Sequence, residues 1–224
     1  MGAFDRTIAL VGEEKFALLE RAHVLVVGLG GVGGAALEVL ARSGVGKITV
    51  VDGDRFEPTN TNRQLLCTAD TVGRSKAEVA AERVRAINPN AEVVAESEYV
   101  CEDNVRKLVE SGCSYCIDCI DDIKNKVLLI KECAAQNVPI VSAMGAGNRI
   151  DCMFSVTDVF ATKDDPFARK LRHELRAANI NKLDTVCAIS PPSATCGTPL
   201  SSAAPPIVMG AMLANHAVKN IIGF

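Results

Sequence analysis

The chain has 224 residues, 48% hydrophobic and 23% charged, with 17 Gly and 9 Pro. That balance, in a varied order, excludes disordered and collagen-like classes, and the length suits one domain or a domain with an appended lobe. A formal net charge of -3 excludes a generally basic, nucleic-acid-coating protein and leaves room only for a local basic face. The nine cysteines are odd in number and scattered, which suits reduced thiols in a cytoplasm. The first residues lack an apolar secretory core, and the longest apolar run, residues 203–214, is interrupted by two prolines and a glycine. No membrane span is expected.

In chain order, residues 13–21 read as a helix and residues 23–28 (HVLVVG) as a buried strand. A helix over 32–43 follows, with Val32, Ala35, Ala36, Val39 and Leu40 on one stripe, and then a strand over 47–52. Ser75-Lys76-Ala77-Glu78 matches a capping box and predicts a helix from there to about Ile87. A strand over 92–97, a helix over 102–111, a central strand over 115–120, a helix over 123–136 and a strand over 139–143 complete the alternation. Such alternation predicts a doubly wound, mostly parallel α/β sheet covered on both faces. Beyond Gly147 the pattern changes to strands over 154–159 and 184–189 flanking a helix that starts at Pro166 behind two aspartates. Residues 190–206 read as a loop and 207–222 as a closing helix. The whole is expected to be one domain over 1–224, with 148–224 as a short C-terminal α/β extension facing the substrate.

Gly28-Leu29-Gly30-Gly31-Val32-Gly33 lies between a strand and a helix, where glycines let the backbone approach a phosphate and free N–H groups bind the anion. Asp52 ends the second strand about twenty residues on, where a carboxylate accepts ribose hydroxyls. These features alone do not separate a dinucleotide from ATP. Asn60-Thr61-Asn62-Arg63-Gln64, Lys76 and Asp121 all fall at strand ends or helix starts on the same edge. Two cations and a carboxylate there suit a triphosphate with Mg²⁺ better than a nicotinamide.

Together with Val51-Asp52-Gly53-Asp54, Gly73-Arg74-Ser75-Lys76, Asp118-Cys119-Ile120-Asp121 and an N-terminal Phe4-Asp5-Arg6, these motifs resemble the ubiquitin-activating-like adenylyltransferase superfamily. The resemblance implies a Rossmann-like fold binding ATP at Gly28, Gly30, Gly31, Gly33, Asp52, Asp54, Asn60, Arg63, Gln64, Lys76 and Asp121. Within that set it assigns ribose to Asp52, phosphates to Asn60, Arg63 and Lys76, and Mg²⁺ to Asp121. It makes Arg6, Arg63, Lys76 and Asp121 the catalytic groups, with Arg6 reaching the ATP of the other subunit of a homodimer.

Residues 139–148, Ile150-Asp151 and Asp165–Arg169 with Leu171-Arg172 resemble one branch, the tRNA threonylcarbamoyladenosine dehydratases, which implies a modified adenosine of tRNA as substrate. The alternative is activation of a ubiquitin-like sulfur-carrier protein. Such enzymes usually carry paired Cys-x-x-Cys zinc ligands; the one such spacing here, Cys116 to Cys119, falls in a predicted strand that points its thiols apart. Some relatives pass the acyl group through a thioester, which makes Cys187 and Cys196 candidates; Cys187, on a strand, reads as an apolar filler. Arg169, Arg172 and Arg176 share one face of the helix at Pro166, expected to meet tRNA, while Phe167, Leu171 and Leu175 pack inward.

Overall fold

The computed structural model describes residues 2–193 and 200–224, so Cys196 lies outside the described residues. The strands are β1 (His23–Val27), β2 (Lys47–Val51), β3 (Glu92–Glu96), β4 (Tyr115–Asp118), β5 (Ile140–Ala143), β6 (Phe154–Asp158) and β7 (Asp184–Ala188). All seven join one sheet in the order β3-β2-β1-β4-β5-β7-β6. Every pairing is parallel except the edge pair of β6 with β7. The strand order reverses direction between β1 and β4, and doubly wound sheets hold their ligands at the carboxyl ends of strands at such a point.

The helices are α1 (Asp5–Val11), α2 (Glu13–Arg21), α3 (Gly31–Arg42), α4 (Lys76–Ile87), α5 (Val105–Glu110), α6 (Ile123–Ala135), α7 (Pro166–Ala177) and α8 (Ala204–Ile221). Strand periodicity sorts the cores. Val24 and Val26 pack with Leu37, Leu40, Met209 and Leu213 on one face, while Leu25 and Val27 pack with Leu108 and Leu129 on the other. A third cluster joins Leu171 and Leu175 of α7 to Ile130 of α6 and Cys187 of β7.

Three elements differ from the sequence reading. α5 starts at Val105 rather than at 102, because residues 102–104 form a turn. α1 was not expected: it buries none of its own residues fully and lacks a side-chain cap, so neither periodicity nor capping announces it. α8 starts at Ala204 rather than at 207, because Pro205 and Pro206 occupy its first turn, where a missing N–H costs nothing. Elsewhere the expected elements hold; Ser75 caps α4 by accepting the Glu78 N–H at 3.4 Å.

Candidate active site

A cavity of about 720 Å³ opens at the carboxyl ends of β1, β2 and β4. Its floor is the glycine loop. Gly28 has φ +86°, and a Cβ there would sit 2.7 Å from the Cys119 carbonyl oxygen, so only glycine lets the loop turn beneath the end of β4. A Cβ on Gly33 would lie 1.7 Å from the Gly28 carbonyl oxygen, which presses the start of α3 onto the loop. Gly28, Gly30 and Gly31 line the cavity. The first N–H groups of α3 have no partner within the helix and make an anion site.

Asp52 is held in place by the backbone. The Leu29 N–H donates to its Oδ2 at 2.6 Å and the Asp54 N–H to its Oδ1 at 2.8 Å. Burial raises its carboxyl above the ordinary range, against the pull of those donors and of the Lys76 charge. The remaining lone pairs suit ribose hydroxyls.

Lys76, buried in the first turn of α4, donates from Nζ to Asp54 Oδ2 at 2.7 Å. The Tyr99 hydroxyl donates to the other oxygen of Asp54. Burial alone raises the Asp54 carboxyl, but the hydrogen bonds from Lys76 and Tyr99 outweigh it and bring it below the usual value. Arg63 extends from the loop after β2, with Nη1 donating to the Thr59 carbonyl and to Asn62 Oδ1, both at 3.0 Å. Asn62 in turn donates to the Ser201 carbonyl at 3.1 Å, tying this loop to the segment before α8. Gln64 is buried at the cavity, and its Oε1 has no hydrogen-bond partner among the described residues.

Asp121 and Asp122 both line the cavity beyond β4. Asp122 is committed as the cap of α6, accepting the Asn125 N–H at 2.9 Å. Asp121 is exposed and makes no side-chain hydrogen bond among the described residues, leaving its carboxylate free for a cation.

Three residues of the expected set do not line the cavity. Gly33 is buried beneath the loop, against the Gly28 carbonyl. Asn60 does not line the cavity; its Oδ1 accepts the Glu57 N–H at 3.1 Å in a capping box around the 3-10 turn Pro58–Asn60, shaping the loop that carries Arg63. Arg6, exposed on α1, is absent from the lining as well. Phe4 packs against Phe16, ring centroids 5.6 Å apart and tilted by 38°, and Phe16 sits beside Gly44, past the end of α3 opposite the glycine loop. The length of α3, about 18 Å at 1.5 Å per residue, separates that end from the phosphate site.

The helix at Pro166 also differs from its expected faces. Arg172 does not face solvent freely: its Nη1 donates to the Thr162 carbonyl at 3.1 Å and to the Thr162 hydroxyl, closing the 3-10 turn Val159–Ala161. Arg176 lies over the Phe160 ring at 5.4 Å. Phe167 is only half-buried and lines the cavity, because Ala168 takes the inward position. Cys116 and Cys119 do pack into opposite faces of the sheet. Cys187 is buried; burial first, and then the nearby Asp165 carboxylate, push its thiol up to about 12. It is no ready nucleophile.

Sequence reasoning missed Tyr99 and Lys126. Lys126 falls on the same helical stripe as the buried Leu129, Ile130 and Cys133, and a charge on an apolar stripe was the available signal. Tyr99 lies in a loop without periodicity.

The profile of the ThiF family matches residues 4–224. The chain is 46% identical over 175 residues to the tRNA threonylcarbamoyladenosine dehydratase of Escherichia coli, covering 78% of this chain and 65% of that protein. It is 40% identical over 180 residues to the enzyme of that name from Bacillus subtilis, covering 80% of this chain and 71% of that protein. The alignment thus spans just under two thirds of the Escherichia coli protein's length. The crystal structure of the Escherichia coli tRNA N6-threonylcarbamoyladenosine dehydratase with ATP superposes with a TM-score of 0.93 at 38% identity, over 99% of this chain and 94% of that one. Its complex with AMP superposes with a TM-score of 0.94 at the same 38% identity.

Proposed function

The chain belongs to the ThiF family, and from that premise we propose that it is an ATP-dependent adenylating enzyme acting on the threonylcarbamoyl carboxylate of a modified tRNA adenosine. The observation that carries this reading is the meeting of the glycine loop, Asp52, Arg63, Lys76 and Asp121 in one cavity. Similarity to the dehydratases supports tRNA as the substrate over a carrier protein.

In the first step a substrate carboxylate oxygen attacks the α-phosphorus of ATP. The bond to the bridging oxygen breaks and pyrophosphate leaves. In the second, the carbamoyl part of the same group attacks the activated carbonyl; AMP departs with the former carboxylate oxygen, a proton is lost and a ring closes. The net change in the substrate is loss of one water. Catalysis is positioning and charge neutralisation. Lys76 exchanges Asp54 for phosphate oxygens, and Arg63 adds a second cation. Asp121 would hold Mg²⁺, an ion commonly bound by one or two carboxylates and the substrate's phosphates, and the ion would neutralise phosphate charge there.

Arg6 is too remote from its own cavity, so a homodimer in which each Arg6 completes the partner's site is part of the proposal. With tRNA as substrate, the cytoplasm is the expected location; among the described residues no helix is long and apolar enough to cross a membrane.

The test is pyrophosphate–ATP exchange across candidate acyl acceptors. Exchange stimulated by tRNA carrying threonylcarbamoyladenosine, and by no ubiquitin-like carrier, supports the reading. Exchange stimulated only by a carrier protein overturns it.

A further inference from the structure

Beside the nucleotide cavity, α6 and α7 leave a second, shallow depression lined by Ile123, Arg169, Lys170, His173 and Glu174. Only the first turn of α6 separates the two. Asp122 and Asn125 face the cavity, and Ile123 between them faces the depression. α7 is fixed in this position from within: Ala168, Leu171 and Leu175 are buried, and Asp165 caps its start by accepting the Phe167 and Ala168 N–H groups at 2.8 and 3.0 Å.

The cations of α7 divide into two kinds. Arg172 and Arg176 are engaged by the 3-10 turn beneath them. Arg169 and Lys170 are exposed, and their side chains make no hydrogen bond or ion pair among the described residues. By contrast, Arg42, Arg74, Arg83 and Arg106 each pair with a glutamate at 2.5–2.8 Å. Arg169 and Lys170 thus stand beside the ATP cavity as exposed cations without an acidic partner among the described residues, and Glu174 is the one acid among the residues lining the depression.

We propose that this depression seats backbone phosphates of the RNA whose modified base enters the neighbouring cavity, with Arg169 and Lys170 as the phosphate contacts. The inference rests on the tRNA reading above. Phosphate contacts fix register and orientation rather than sequence, which is what a surface flanking a reaction site must supply. It also replaces the face expected from helical spacing, because two of its three arginines are already occupied.

The experiment measures binding of tRNA carrying threonylcarbamoyladenosine against salt concentration, for the unaltered chain and for the double variant Arg169→Gln, Lys170→Gln. Each lost phosphate contact lowers the salt slope by about 0.7–0.9, so the pair should lower it by about 1.4–1.8. Arg106→Gln, which removes one charge on α5, should leave the slope unchanged. The rise in melting temperature with ATP should be the same in all three, since none of these residues lines the nucleotide cavity. An unaltered slope in the double variant overturns the docking surface and leaves the tRNA reading standing. Failure of the unaltered chain to bind this tRNA overturns both.

Discussion

Lys126 Nζ lies 2.8 Å from Asp118 Oδ2, and both side chains are fully buried. The pair clamps the turn after β4 at both backbone groups of one residue. Lys126 donates to the Ile120 carbonyl at 2.8 Å, and the Ile120 N–H donates to Asp118 Oδ1 at 3.0 Å. Ser142 of β5 donates to Asp118 Oδ2 at 2.7 Å, and the ammonium faces the Phe167 ring at 5.6 Å. Asp121 follows this clamp directly, so its place in the cavity depends on a pair that does not itself line the cavity.

Breaking one half of a buried pair leaves an uncompensated charge and costs about 3–5 kcal/mol. Lys126→Met is expected to lose stability of that order in urea denaturation. Asp118→Asn combined with Lys126→Met should lose clearly less than the sum of the single changes, since neither charge is then stranded. Additive losses would mean that the two groups do not act as a pair.

Lys76 and Asp121 are expected to carry turnover rather than fold. A charge-assisted contact is worth roughly 1.5–3 kcal/mol, and each 1.4 kcal/mol is about tenfold in rate. Lys76→Ala and Asp121→Ala should each lower turnover by at least about tenfold, with the melting temperature of the ATP-free chain little changed. Unaltered rates in both would remove the nucleotide assignment.

Much of this was legible in the sequence, for identifiable reasons. Apolar runs at 23–27 and 47–51 gave the central strands, and the glycines with Asp52 placed the nucleotide edge, because both signals are local. Ser75 announced α4 through its cap. What stayed hidden depends on contacts distant in sequence. Asn60 looked like a phosphate ligand until the fold turned it toward Glu57, and helical spacing could not tell that the turn at 159–161 would occupy Arg172. Tyr99 reaches Asp54 across 45 positions of sequence, from a loop that no pattern marks.

The buried His23 is expected to set an acid-side slope in stability. Burial first, and then the Lys47 charge, hold its imidazole below the ordinary 6.5, while its Nε2 lies 2.8 Å from Thr49 Oγ1. The folded state therefore binds fewer protons than the unfolded chain as pH falls below 6.5. Stability present above that pH is lost as pH falls toward the folded-state value. Chemical denaturation from pH 7.5 to about pH 5 should show this loss in the unaltered chain and a flatter profile in His23→Gln. Identical slopes would contradict it.

The homodimer makes a prediction of its own. Arg6→Ala and Lys76→Ala chains should each be strongly impaired alone, and mixing them should raise activity above that of either. One site of each mixed dimer then keeps its own Lys76 and receives an intact Arg6 from the partner. Absence of recovery after verified subunit exchange would contradict a role for Arg6 across the interface.

The most direct test of the central claim is the mass of the modified nucleoside after incubating threonylcarbamoyladenosine-containing tRNA with the protein and ATP. The expected product is lighter by one water and is formed with AMP and pyrophosphate in equal amounts, at least about tenfold more slowly by the Lys76→Ala variant. Full recovery of the unaltered nucleoside, while the same preparation adenylates a ubiquitin-like carrier protein, would contradict it.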